Sequence, residues 1–328
     1  MKAGARGLSW AGAQPESESD YRTRIDTVKQ PYVSHETGQW CVFPNFNEIR
    51  KYTGVNKAKN FEIFRDILND NHMGSQSYDF MMASGKLQAL CYKHEIEKTL
   101  RTPDYAGFQL LALNDYSGQG TALVGVLDVF FEEKGYINAE QFRRFCSPTI
   151  PLARIPKFVY ANNETFHADI EVSHFGAAPL ESAKTVYTIK DKFGKVYAHG
   201  TVGIHRIPIG NLYSLGSVDM TLEGIDTPQK LNLEVRIEGS DAVNDWDFWV
   251  YPAQVELVQG TVYTTDTLDA KALAVLQDGG NVLITAAGKI QYGKEVKQYF
   301  TPVFWNTSWF KMRPPHTTGI FLNEYHPL

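Results

Sequence analysis

The sequence predicts a multidomain α/β plus all-β chain. It reads as the C-terminal part of a (β/α)8 TIM barrel, then a two-sheet β-sandwich, then the start of a further α/β domain. Three observations carry this. Two apolar strands end in polar, Gly-containing runs and are separated by helical spacing. The hydrophobic period changes from helical to two after residue 157. A continuous apolar run then follows a short helix near residue 281. The expected divisions are an N-terminal remnant or linker at 1–30, the barrel part at 31–150, the sandwich at 151–257 and a partial α/β domain at 258–328.

The first strand is Tyr32-Val33-Ser34, which delivers Glu36. Gly38 breaks the run, and Gln39 and Trp40 follow at once. Barrel enzymes present carboxylates in this way, at the C-terminal ends of strands. Carbohydrate chemistry uses these parts: a carboxylate at the anomeric carbon, amides on hydroxyls, and an indole face over the apolar side of a pyranose. The second strand, 108–113, ends in Asn114-Asp115-Tyr116-Ser117-Gly118-Gln119-Gly120. Between them, Phe61, Phe64, Ile67 and Leu68 predict a helix over 60–71. Leu87, Leu90, Cys91, Ile96 and Leu100 predict another over 84–100. A further helix is expected over 21–29. Strand, helices, strand is a βαβ unit of a parallel barrel.

Consecutive strand residues point to opposite faces, so His35 and Glu36 cannot both face the barrel axis in a regular strand. Glu36 is assigned to the site. His35 either lines the pocket or packs behind the strand. Asn114, Asp115, Gln119 and Trp40 are the remaining pocket candidates. Asp115 has an alternative role as a structural carboxylate capping the loop after the second strand.

The segment His35 to Trp40, the strand Gly107 to Leu111 with its Asn114–Gly120 end, and the run Ala122 to Asp128 together resemble glycoside hydrolase family 2. They look most like its bacterial β-galactosidase and β-glucuronidase-like branch, from about Pro31 to the C-terminus. The resemblance implies that Glu36 is the nucleophile on barrel strand seven and that 108–113 is strand eight. It implies retaining hydrolysis of terminal sugars through a covalent glycosyl-enzyme intermediate, an immunoglobulin-like sandwich after the barrel, and a periplasmic or secreted location.

The chain departs from that family in one respect. Retaining hydrolysis needs two carboxyl groups roughly 5 Å apart. The family's acid/base follows an Asn and lies well before the nucleophile. The acids before Glu36 are Glu16, Glu18, Asp20 and Asp26, and none follows an Asn. The pairs Asn47-Glu48, Asn163-Glu164 and Asn323-Glu324 all come after it. A complete barrel needs roughly 250 residues. The chain is therefore expected to be the C-terminal portion of a longer exo-β-glycosidase, with the acid/base encoded upstream. The alternative is a non-catalytic carbohydrate-binding or accessory fragment.

Pro148, Pro151 and Pro156 mark the next boundary, preceded by a helix over 138–146 capped by Asn138. Phe166, Ala168, Ile170 and Val172 then alternate with polar residues, as do Leu231, Leu233, Val235 and Ile237. That pattern gives strands with one buried and one wet face, and hence an immunoglobulin-like sandwich. Lys192-Phe193-Gly194-Lys195 predicts a hairpin turn. Trp246 and Trp249 are assigned to packing rather than to a sugar platform, since a sandwich core needs large aromatics. After Pro252 a helix over 267–276 stops at Asp278-Gly279-Gly280. The apolar strand 281–285 then opens a flavodoxin-like or amidotransferase-like α/β domain. Ala286-Ala287-Gly288 and Gly118-Gln119-Gly120 match no phosphate-binding fingerprint.

Composition narrows the partners. A net charge of −5 gives no electrostatic footprint for nucleic acid. The sequence holds no apolar run long enough to span a membrane. Cys41, Cys91 and Cys146 are too sparse for a disulfide framework and are expected as free thiols. No metal-binding spacing occurs, and no cofactor is implied. The expected partners are a β-linked carbohydrate and either the missing barrel portion or a second copy of the chain.

Overall fold

The computed structural model describes residues 14–116, 123–255, 260–292 and 321–322. Strand β1 (Tyr32–Thr37) and strand β2 (Tyr105–Leu110) pair in parallel, Tyr32 opposite Tyr105 and Ser34 opposite Phe108. Parallel neighbours need a long crossover, and helices supply it here. A short helix α1 (Arg22–Ile25) precedes β1. A 3-10 turn (Phe46–Lys51), helix α2 (Lys59–Asp70) and the 24-residue helix α3 (Ser77–Leu100) lie between the strands. The expected βαβ order is thus present, with corrections at its edges. The helix expected over 21–29 shortens to four residues. The second strand begins earlier than 108, and α3 extends seven residues before Ser84.

The barrel expectation is corrected more substantially. Among the described residues β1 and β2 make a sheet of two, and no closed barrel is present. One sheet face packs on α3 through the buried Ser34 and Thr37. On the other face Val33 is 54% exposed.

The predominant architecture is β-sandwich. Helix α4 (Ala139–Arg143) leads into it. Its Asn138 cap and Gln141 exchange side-chain-to-backbone hydrogen bonds in a capping box. One sheet has three antiparallel strands in the order β3 (Thr149–Arg154), β5 (Thr165–His174), β8 (Gly210–Thr221). The other has five, in the order β4 (Val159–Ala161), β10 (Val243–Tyr251), β9 (Gln229–Ile237), β6 (Leu180–Asp191), β7 (Val196–Ile207). The alternating residues of β5 and β9 face each other across one core. In it Phe166 stacks on Phe248 with ring centroids 4.1 Å apart. The β6–β7 hairpin turns at Gly194 (φ 86°), where Asp191 Oδ1 accepts hydrogen bonds from the Phe193 and Lys195 amides.

Beyond it, strand β11 (Tyr263–Thr265), helix α5 (Ala270–Gln277) and strand β12 (Val282–Ile284) form a small parallel βαβ unit. Asp269 caps the helix start. Gly279 (φ 77°) ends it, and the Gly280 amide donates to Val275 O. Phe321 meets Phe80 of α3 edge to face at 5.8 Å.

Candidate active site

At the C-terminal end of β1 the strand is not regular. Glu36 has φ 58°, and the pairing with β2 shifts between Ser34 and Thr37. A left-handed non-glycine residue in a strand rotates its side chain out of the alternating pattern. His35 and Glu36 therefore converge, with His35 Nε2 lying 3.6 Å from Glu36 Oε1. The expectation that strict alternation separates them is corrected by this bulge. His35 is not behind the strand: its Nδ1 donates to Gln109 Oε1 on β2 at 2.9 Å. Gln39 folds back, its amide donating to Glu36 O at 2.7 Å and to Glu36 Oε2 at 3.2 Å. Glu36, His35, Gln39 and Gln109 thus form one polar constellation at the ends of both strands. The Glu36 side chain is 41% exposed within it.

The turn carrying Glu36 is fastened to α3. The buried Glu95 carboxylate accepts from Gly38 N at 3.1 Å and from Trp40 Nε1 at 3.0 Å. Gln88 Nε2 donates to Trp40 O at 2.7 Å. Gly38 has φ 81°, and a Cβ there would lie 2.0 Å from the Tyr92 ring. Only glycine lets the chain pass so close. Trp40 is half-buried, with its indole N–H committed to Glu95.

At the end of β2, Asn114 bridges to Leu127, and its side chain donates to Asp115 O at 3.0 Å. Asp115 does not line an open surface. Its carboxylate is 2.6 Å from Lys134 Nζ, both side chains being 1% exposed, and it accepts from Gly125 N at 2.9 Å. Burial raises its pKa to about 6, against the opposing pull of Lys134 and the Gly125 amide. It holds the returning loop, the structural role. A Cβ on Gly125 would lie 2.2 Å from the Asn114 carbonyl carbon, so this return also requires glycine. Gln119 lies outside the described residues.

Two of the Asn–Glu pairs lie among the described residues, and neither glutamate is part of the Glu36 constellation. Glu48 is fully buried. Glu164 lies in the sandwich, bound to Lys157 and to the Ala161 amide. Glu324 lies outside the described residues. Trp246 is buried, its indole donating to Glu97 Oε2 at 3.0 Å. Among the described residues no group of three His, Cys, Asp or Glu side chains is arranged to hold a metal ion, and no helix is long and apolar enough to cross a membrane. The three cysteines are free.

Gln109, Gln39 and Glu95 were not among the sequence candidates. Gln109 had a signal, a lone amide inside an apolar strand. Glu95 had none, because a carboxylate in a helix ordinarily faces water.

Two families of domains of unknown function match parts of the chain, DUF8488 over residues 164–252 and DUF8487 over residues 263–328. The first match falls within the sandwich and the second begins at β11. No curated protein matches the sequence. Weak likenesses occur among solved structures. An exo-chitosanase from Amycolatopsis orientalis aligns at 12% identity and TM-score 0.32, over 55% of this chain and 20% of that one. A β-glucuronidase from Parabacteroides merdae aligns at 14% identity and TM-score 0.24, over 34% and 16%. The CARDB domain of a Pyrococcus furiosus protein aligns at 14% identity and TM-score 0.24, over 32% of this chain and 93% of that domain. The chain spans a fifth or less of either glycosidase.

Proposed function

We propose that this chain carries the nucleophile half of a retaining exo-β-glycosidase of the family 2 type, with Glu36 as the nucleophile. The observation that carries this is the convergence of Glu36, His35, Gln39 and Gln109 at the C-terminal ends of two parallel strands. A left-handed backbone turns the carboxylate outward there, and strain of this kind clusters where a side chain must be aimed. In the proposed step a Glu36 oxygen attacks the anomeric carbon. The bond to the leaving oxygen breaks, and its electron pair departs with the aglycone. The exposed Gln109 amide is suited to sugar hydroxyls, while the buried Gln39 amide and His35 orient the carboxylate. The acid/base comes from residues outside this sequence, contributed by the rest of a barrel that β1 and β2 belong to.

A dinitrophenyl leaving group departs without protonation, so nucleophile function can be tested without the acid/base. The protein is incubated with a panel of dinitrophenyl 2-deoxy-2-fluoro β-glycosides and weighed intact, beside Glu36→Ala. A sugar-sized adduct on the wild type alone is the expected result, and peptide mapping should place it on Glu36. Binding of glycans with no adduct from any sugar would overturn catalysis. It would leave the alternative of a carbohydrate-binding fragment, which the placements of Glu48 and Glu164 favour.

A further inference from the structure

Behind the strand ends lies an enclosed layer of charge in which one carboxylate has no donor. Glu48, on the 3-10 turn after β1, is 0% exposed, and neither of its carboxylate oxygens has a hydrogen-bond partner. Four charged groups face it: Asp115, Lys134, Asp128 and Lys51. The phenols of Tyr52 and Tyr136 also lie near. Both ammonium groups are already engaged. Lys134 binds Asp115 and, at 2.8 Å, Gly125 O. Lys51 binds Asp128 and, at 2.8 Å, Glu132. The acids near Glu48 thus take up both lysines. An ionised carboxylate enclosed without donors is far less stable than a neutral one.

We propose that Glu48 is a built-in proton switch: enclosed without a donor, it is held in the fold as the neutral acid, and its ionisation loosens the layer joining the ends of β1 and β2. The layer is well placed to transmit this. Val42 N, from the segment after β1, donates to Leu123 O at 3.0 Å, and Val42, Leu123 and Tyr136 share one core cluster with residues around Glu48. Ionised Glu48 would set a second buried negative charge beside Asp115. Burial first, then the Asp115 charge, raises the Glu48 pKa to about 7 from 4.5, with Lys134 opposing. A carboxyl whose folded pKa is raised binds its proton more tightly when folded. Its contribution is therefore complete below about pH 4.5 and is lost as pH rises through about 7.

The test compares the full wild-type chain with Glu48→Gln and Glu48→Met by denaturant unfolding at pH 5 and pH 8. Titrating groups that do not interact with Glu48 are common to all three, so their effects cancel, and the difference reads Glu48 together with its coupling to Asp115. The wild-type folding constant should fall between the two pH values by roughly 10–100-fold more than that of either variant. In carboxyl-labelled glutamate NMR, the one resonance missing from Glu48→Gln should titrate near neutrality. Parallel pH dependence in all three proteins would overturn the proposal. So would a Glu48 resonance titrating in the ordinary carboxylate range, or failure of both variants to fold at pH 5.

Discussion

Glu36 is a residue whose backbone and side chain pull in different directions. A non-glycine residue at φ 58° costs about 1 kcal/mol or more relative to an extended one. The Gln39 amide, bonded to both Glu36 O and Glu36 Oε2, offsets part of that. Glycine would adopt the same backbone freely. Glu36→Gly is therefore expected to leave the denaturant midpoint unchanged or raise stability by up to about 1 kcal/mol, while abolishing the glycosyl adduct. A loss of stability beyond about 2 kcal/mol would mean that the carboxylate is kept at this position by packing rather than by chemistry.

Helix α3 organises what surrounds that residue. Gln88, Tyr92 and Glu95, one turn apart on one face, hold the ends of both strands. Gln88 reaches Trp40 O, Tyr92 Oη donates to Val124 O at 2.7 Å, and Glu95 holds Gly38 and Trp40. Lys93 and Glu97, on the opposite side of the helix, reach the sandwich at Asn244 and Trp246. Glu95→Ala should slow adduct formation at least tenfold and lower the hydrogen-exchange protection of the Trp40 indole. Glu95→Gln, which keeps an acceptor oxygen, should recover part of both. Equal adduct rates in wild type and alanine variant would remove Glu95 from any positioning role. This helix also shows why the sequence was only partly legible. Its apolar positions from Leu87 to Leu100 gave its existence, and apolar alternation likewise gave β5 and β9. The face that matters is buried yet polar, carrying Ser84, Gln88 and Glu95, and hydrophobic periodicity carries no information about such a face. The bulge at Glu36 was hidden for a related reason. Nothing in His35-Glu36-Thr37 marks a left-handed residue, and the contact with Gln39, three residues on, helps to hold it there.

At the scale of the whole molecule, the two ends of this structure differ in how completely they are closed. The sandwich closes a continuous core between two sheets. The β1–β2 pair is a sheet of two among the described residues, and the face not packed on α3 presents Val33, His35 and Gln109 to solvent. Helix α2 adds Ile63 and Ile67, each more than half exposed. Two-stranded sheets are marginal by themselves, and open strand edges invite further pairing. Contiguous exposed apolar surface acts in the same direction. The polar network from α3 to Asn244 and Trp246 keeps this region ordered against the sandwich, so the open face should be presented rather than unfolded. The isolated chain is accordingly expected to associate in a concentration-dependent way. The sandwich alone, residues 149–252, should remain monomeric under the same conditions. Sedimentation velocity over a hundredfold range of concentration distinguishes the outcomes. A monodisperse monomer of the full chain throughout would show that the strand pair needs no further strands, and it would remove the main physical reason for assigning that pair to a larger barrel.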